Sequence, residues 1–135
     1  MANKDPYYST SKPPFWQSFG HARDGIAWIF FHERNFQYPA IATILTLLAG
    51  LWLQISATQW LIILIFLVLV PVLEILNTTG EIICNILRDE LHLDYAATKI
   101  PRDLLGGAVL YASLGSLIAA AIIFLPRLAV LCSIG

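Results

Sequence analysis

Residues 69–90 read LVPVLEILNTTGEIICNILRDE, an apolar run that acquires Glu74, Asn77, Glu81 and Asn85 at i, i+3, i+7 and i+11. At 100° per residue that spacing gathers the four side chains into a helical stripe about 80° wide. The stretch therefore predicts one helix with a single polar face. Its neighbours decide the medium. No Asp, Glu, Lys or Arg occurs between Arg34 and Glu74, and none between Asp103 and Arg127. A bilayer core takes about 20 apolar helical residues, so the first gap has room for two spans and the second for one.

Composition agrees. Of 135 residues, 58% are hydrophobic and 13% charged, where soluble proteins carry about 25% charged residues. The length predicts a single domain. A soluble bundle with a very apolar core is the competing class, but its helices would need polar faces that these runs lack. No basic cluster points to nucleic acid. The expected architecture is an all-α membrane protein of three transmembrane helices plus an N-terminal amphipathic interfacial helix.

Residues 1–13 mix Pro, Ser, Lys and Tyr without period and read as a flexible tail ahead of one domain over 14–135. Their order is wrong for a signal peptide, so the N-terminus is expected to be retained. Over 14–34 the residues Phe15, Phe19, Ala22, Ile26, Ile29 and Phe30 share a helix face, with Trp16 and Trp28 as interfacial anchors. Spans are expected at about 38–54, 59–86 and 103–125, the second bending at Pro71 and the third ending before Pro126. Trp52 and Trp60 flank the short polar connection between the first two, as an aromatic belt would. Residues 88–102 read as a polar loop.

Seven of the eight basic residues lie in the tail, the interfacial helix or that loop, and Arg127 alone falls on the other side. The positive-inside rule then puts the N-terminus in the cytoplasm and the C-terminus outside. Ala108, Ala112, Ser116 and Ala120 form a small-residue stripe suited to close helix approach; packing within one chain is the competing use, but three helices make so small a core that self-association is expected. Cys84 and Cys132 fall near opposite membrane faces and read as apolar filler, not a disulfide.

Carboxylates near hydrocarbon cost about 2.5–3.5 kcal/mol each even on insertion scales, so two on one face point to function. Glu33, Lys99, Arg102 and Asp103 are expected at the same membrane face. Carboxylates that can hold Mg²⁺, cations that offset phosphate charge and a carboxylate able to take a hydroxyl proton suit phosphoryl transfer. A Walker-type Gly-rich loop is absent from the sequence, and the chain is too short for a repeated transporter architecture. Asn77-Thr78-Thr79 fits a glycosylation acceptor, but a helix in or beside the membrane makes that match accidental.

EILNTTGE (74–81), followed by KIPRDLLGGAVL (99–110), resembles the bacterial integral-membrane diacylglycerol kinase and undecaprenol kinase family. That family's pattern runs approximately E-x-x-N-[ST]-A-x-E, then K-x-x-K-D-x-x-[AG]-[AG]-A-V. SFGHARDGIAWIFFHERNF (18–36) is similar to its opening S-F-x-x-A-x-x-G and E-R-N elements. The resemblance covers roughly residues 14–126.

It implies a homotrimer in the bacterial inner (plasma) membrane with a cytoplasmic active site. There MgATP would phosphorylate a lipid alcohol, diacylglycerol or undecaprenol. By the same resemblance Glu74 is the catalytic base and Asn77 helps organise the site. Glu33 and Glu81 hold the metal with the nucleotide. Lys99, Arg102, Asp103 and Tyr95 contact the nucleotide. Four positions depart from the family's usual residues: Arg102 for Lys, Asn85 for Asp, Gly80 for a bulkier helix former and Tyr95 for His. The departures at Asn85 and Arg102 motivate the alternative of a catalytically inactive membrane protein of the same fold, with a structural or interaction role. An ion or proton carrier built on the Glu stripe is a third reading.

Overall fold

The computed structural model describes residues 14–134, all in four helices and their short connections: α1 (Phe15–His32), α2 (Arg34–Trp52), α3 (Ala57–Leu91) and α4 (Tyr95–Ile134). The flexible-tail expectation for 1–13 lies outside the described residues. The chain divides into two compact units, one up to Glu33 and the other from Arg34 onward.

In the first unit, α1 starts where the Pro14 carbonyl accepts from Gln17 N and Ser18 N at 2.9 and 3.2 Å. It ends at Glu33, whose backbone turns extended (φ −110°, ψ 110°) while its N–H still donates to Ile29 O. Phe15, Trp16, Phe19 and Phe31 are all exposed on it.

In the second unit, α4 lies antiparallel along α3, and α2 packs on α3 more lightly. Gly106 sits opposite Asn77, Leu105 opposite Gly80 and Arg102 opposite Asn85, so the register is continuous over several turns. The α2–α3 connection is tight because both ends are capped. Gln54 takes a left-handed backbone (φ 48°). Its N–H donates to Leu51 O at 3.3 Å and that of Ile55 to Gly50 O at 3.2 Å, which closes α2 in a Schellman motif. Ser56 then opens α3 with a capping box: Gln59 N donates to Ser56 Oγ and Ser56 N to Gln59 Oε1. Leu53, Ile55, Ile63 and Ile123 bury themselves around this corner with Trp60, Leu67 and Phe124.

Arg127 locks the corner. Its Nη1 donates to Leu53 O at 2.8 Å and Gln54 O at 2.7 Å, and its Nη2 to Gln59 Oε1 at 3.0 Å. Charged donors thereby satisfy carbonyls that the end of α2 leaves open.

Several boundaries differ from expectation. The first apolar helix begins at Arg34 instead of 38, with Pro39 inside it. α3 runs past 86 to Leu91, where His92 (φ 52°) provides the left-handed cap. The polar loop expected over 88–102 shrinks to residues 92–94, because α4 already starts at Tyr95 and carries Pro101 within it. Proline costs a helix one backbone bond, and early in a long, well-packed helix that loss is absorbed. α4 likewise continues through Pro126 to Ile134. That continuation puts Arg127 one turn beyond buried Ile123, on the face that meets the α2 corner.

Among the described residues two helices, α3 and α4, are long and apolar enough to cross a membrane. At 35 and 40 residues and 1.5 Å per residue they measure about 52 and 60 Å, so each also projects beyond a hydrocarbon core of about 30 Å. Cys84 is buried and Cys132 exposed, both as free thiols. Ala112 of the small-residue stripe is buried within its own chain, and Ala108 is exposed.

Candidate active site

The polar stripe of α3 faces α4 and α2. Glu74 and Asn77 are 5% and 7% exposed, and Glu81 and Asn85 are half-buried farther along. The i, i+4 spacing lets Asn77 Nδ2 donate to Glu81 Oε1 at 3.0 Å. Asn77 Oδ1 is buried with no partner. A Cβ added at Gly106 would stand 3.9 Å from that oxygen, so the bare α4 backbone leaves space beside it. A buried acceptor without a donor costs about 1–3 kcal/mol, and such a group calls for a reason, a bound water, an ion or a catalytic role among them.

Glu74 lines a groove of about 500 Å³ between α2, α3 and α4, shared with Tyr38, Thr43, Phe66, Ser113 and Ser116. The groove is mostly apolar, with the Glu74 carboxylate, the Asn35 carboxamide and a few hydroxyls as its polar features. Sequence reading singled out Glu74 as a site residue, whereas Ser116 entered only through the small-residue stripe and the other four were not site candidates. Thr43 and Ser113 give no signal in the sequence, since a lone hydroxyl in a span is ordinary.

A second cluster lies nearer the α3–α4 connection. Arg102 Nη2 donates to Asn85 Oδ1 at 2.8 Å and its Nε to Thr98 Oγ1 at 3.5 Å, while its guanidinium carbon sits 5.6 Å from the centre of the Tyr95 ring. Thr98 is 5% exposed and its hydroxyl also donates to Tyr95 O. Arg102, Asn85 and Tyr95, three of the four departures from the family pattern, are thus one contact set. Thr98 was missed by sequence reading, although its i, i+4 spacing to Arg102 was the available signal.

Lys99 and Asp103 fall on the adjacent, solvent-facing side of α4 and pair with each other at 2.6 Å. That bond raises the Lys99 ammonium above lysine's ordinary value. Lys99 therefore does not reach the α3 carboxylates in this conformation. Glu33, the other expected metal-holding carboxylate, closes α1 in the first unit, while Glu81 belongs to the second.

The fourth departure has a packing reason. A Cβ on Gly80 would run into Leu105 Cδ1, so the helix-propensity cost of glycine accompanies a close α3–α4 approach.

Among the described residues no three His, Cys, Asp or Glu side chains form a metal cluster. Mg²⁺ is commonly held by only one or two carboxylates together with phosphate oxygens and water, and Glu81, oriented by Asn77, could supply one such carboxylate.

A family model described as prokaryotic diacylglycerol kinase matches residues 20–124. The chain is 35% identical over 114 residues to undecaprenol kinase of Bacillus subtilis, covering 84% of this chain and 90% of that protein. It is 29% identical over 111 residues to diacylglycerol kinase of a Synechocystis species, covering 82% of this chain and 62% of that protein.

Proposed function

The chain belongs to the prokaryotic diacylglycerol kinase family and is a membrane lipid kinase, and from that premise we propose that it transfers the γ-phosphate of ATP to the hydroxyl of undecaprenol in preference to diacylglycerol. The observation that carries the reading is Glu74, a buried carboxylate lining a groove whose walls are otherwise mostly apolar. A lipid alcohol has that shape in negative: one hydroxyl on a long hydrocarbon. The preference for undecaprenol follows the relative that is 35% identical and matched over 90% of its length.

In this reading the hydroxyl oxygen attacks the γ-phosphorus as its proton passes to the Glu74 carboxylate. The bond from the γ-phosphorus to the bridging oxygen breaks and ADP leaves. Asn77 offers Oδ1 to the incoming groups and holds Glu81 with its amide. Mg²⁺ bound with ATP would neutralise phosphate charge, and Glu81 would hold it. Lys99, Arg102, Asp103 and Tyr95 form the nucleotide side, with Lys99 exchanging Asp103 for phosphate.

The membrane arrangement follows the same proposal. α2 spans as well, since Ile41, Ile44, Leu45, Leu48 and Leu51 are exposed along its length and need hydrocarbon around them. α1 lies in the cytoplasmic interface on its exposed aromatics. The N-terminus and site face the cytoplasm of a bacterial plasma membrane, the α2–α3 corner and the C-terminus face out, and the working unit is a homotrimer.

The test is a side-by-side assay of purified protein on undecaprenol and diacylglycerol with labelled ATP and Mg²⁺. Faster labelling of undecaprenol supports the proposal, and equal or reversed rates overturn the preference. Glu74→Gln is expected to insert and fold normally yet lose lipid phosphorylation. An unchanged rate in that variant removes Glu74 as the base.

A further inference from the structure

Three cations stand near the α3–α4 connection, and their partners differ in kind. Arg88 pairs with Asp89 at 3.3 Å and Lys99 with Asp103 at 2.6 Å. Arg102, by contrast, is held by a carboxamide, a hydroxyl and a phenol ring: Asn85 Oδ1, Thr98 Oγ1 and Tyr95. None of these carries a negative charge at neutral pH. Among the described residues, the hydrogen bonds from Arg102 engage its Nε and Nη2, so the contacts fix the fork from one side.

We propose that Asn85 is a positioning residue that aims the Arg102 guanidinium at the polyphosphate of the nucleotide without neutralising it, with Thr98 and Tyr95 completing the cradle. An amide oxygen fixes the direction of an N–H as well as a carboxylate does, but leaves the positive charge whole. A guanidinium also keeps donors to spare once one edge is anchored, which an ammonium at the same place could not combine with a fixed plane. The inference rests on the kinase reading above and deepens its nucleotide side.

Asn85→Asp tests it, because the new carboxylate keeps the shape and the hydrogen bond while pairing with the charge. Three readouts apply, in full-length protein reconstituted in lipid. Half-saturating ATP is expected to rise roughly tenfold with kcat within about twofold, as loss of one charge-assisted contact to phosphate would give. Displacement of a fluorescent ATP analogue by inorganic tripolyphosphate should weaken in parallel, whereas displacement by adenosine should not change. In an Arg102→Ala background, Asn85→Asp should add nothing further.

An unchanged ATP requirement in Asn85→Asp overturns the proposal. So does a weakened adenosine displacement, which would move Arg102 to the nucleoside end, or an equal effect in the Arg102→Ala background, which would make Asn85 merely structural. Tripolyphosphate displacement is read in the reconstituted protein without any lipid alcohol substrate. A protein that binds it through Arg102 but phosphorylates no lipid alcohol would therefore sink the kinase reading and leave this one standing.

Discussion

Arg127 donates to the Leu53 carbonyl oxygen at 2.8 Å across 74 residues of chain. With its bonds to Gln54 O and Gln59 Oε1, one guanidinium ties the end of α2, the start of α3 and the C-terminal half of α4 together. At the other end of the α3–α4 pair Arg102 joins the same two helices through Asn85. The Glu74–Glu81 part of the polar stripe lies between these two arginine contacts, so both bear on how firmly it is held.

Arg127→Ala should destabilise the fold by about 2–4 kcal/mol, since it strips charged hydrogen bonds from partly buried carbonyls. Arg127→Lys should recover less than half of that, because an ammonium cannot fork to two helices. Thermal unfolding in mild detergent checks both. Activity at low temperature should survive in each, as Arg127 is remote from Glu74. A midpoint that does not move in Arg127→Ala would show the corner to be held by Leu53, Ile55 and Ile63 alone.

Gly50 is needed where it stands. A Cβ there would lie 2.7 Å from Trp60 Cη2, 2.8 Å from Cζ2 and 3.2 Å from Ile55 Cδ1. Overpacking of this kind costs about 1–3 kcal/mol, more than the gain of up to about 1 kcal/mol from replacing glycine in a helix. Gly50→Ala should therefore lower the unfolding midpoint. In a Trp60→Phe background, where the long ring edge is gone, the same substitution should be neutral or stabilising.

The polar stripe was legible because its four members sit on one helix, and a period of 3.6 is enough to align them. The aromatic-flanked turn at 53–56 was legible for the same local reason. What pairs distant segments was not. Arg127 was read only as the lone outer cation, and its partners lie 68 to 74 residues away. Asn85 and Arg102 were read as two separate departures, although a 17-residue separation brings them to 2.8 Å. The expected loop over 88–102 was wrong because Pro101 and a high charge density look like a connection, whereas helix packing on α3 tolerates both.

Gly80 and Leu105 offer a paired test of the α3–α4 approach. Gly80→Ala should gain helix propensity and lose it again against Leu105, for a net change within about 1 kcal/mol. With Leu105→Ala the obstruction is removed, and Gly80→Ala should then stabilise that variant by up to about 1 kcal/mol. The difference between the two backgrounds measures the contact. Identical effects in both would mean that α3 and α4 separate here more readily than the packing implies.

Glu74 and Glu81 should fail in different ways, which separates proton transfer from metal handling. Glu74→Gln keeps the size and the groove but cannot accept the hydroxyl proton. Loss of a general base lowers kcat by about 10²–10⁴, and the Mg²⁺ dependence should stay as in the parent. Glu81→Gln leaves Glu74 in place but replaces the carboxylate that Asn77 Nδ2 holds at 3.0 Å. Weakened metal-holding groups commonly cost about 10–100-fold in affinity, so half-saturating Mg²⁺ should rise into that range while the rate at saturating Mg²⁺ recovers much of its value. The two titrations, run at fixed ATP and lipid, decide the assignment. If Glu81→Gln loses kcat at every Mg²⁺ concentration and Glu74→Gln shifts the Mg²⁺ curve, the roles of the two carboxylates are reversed.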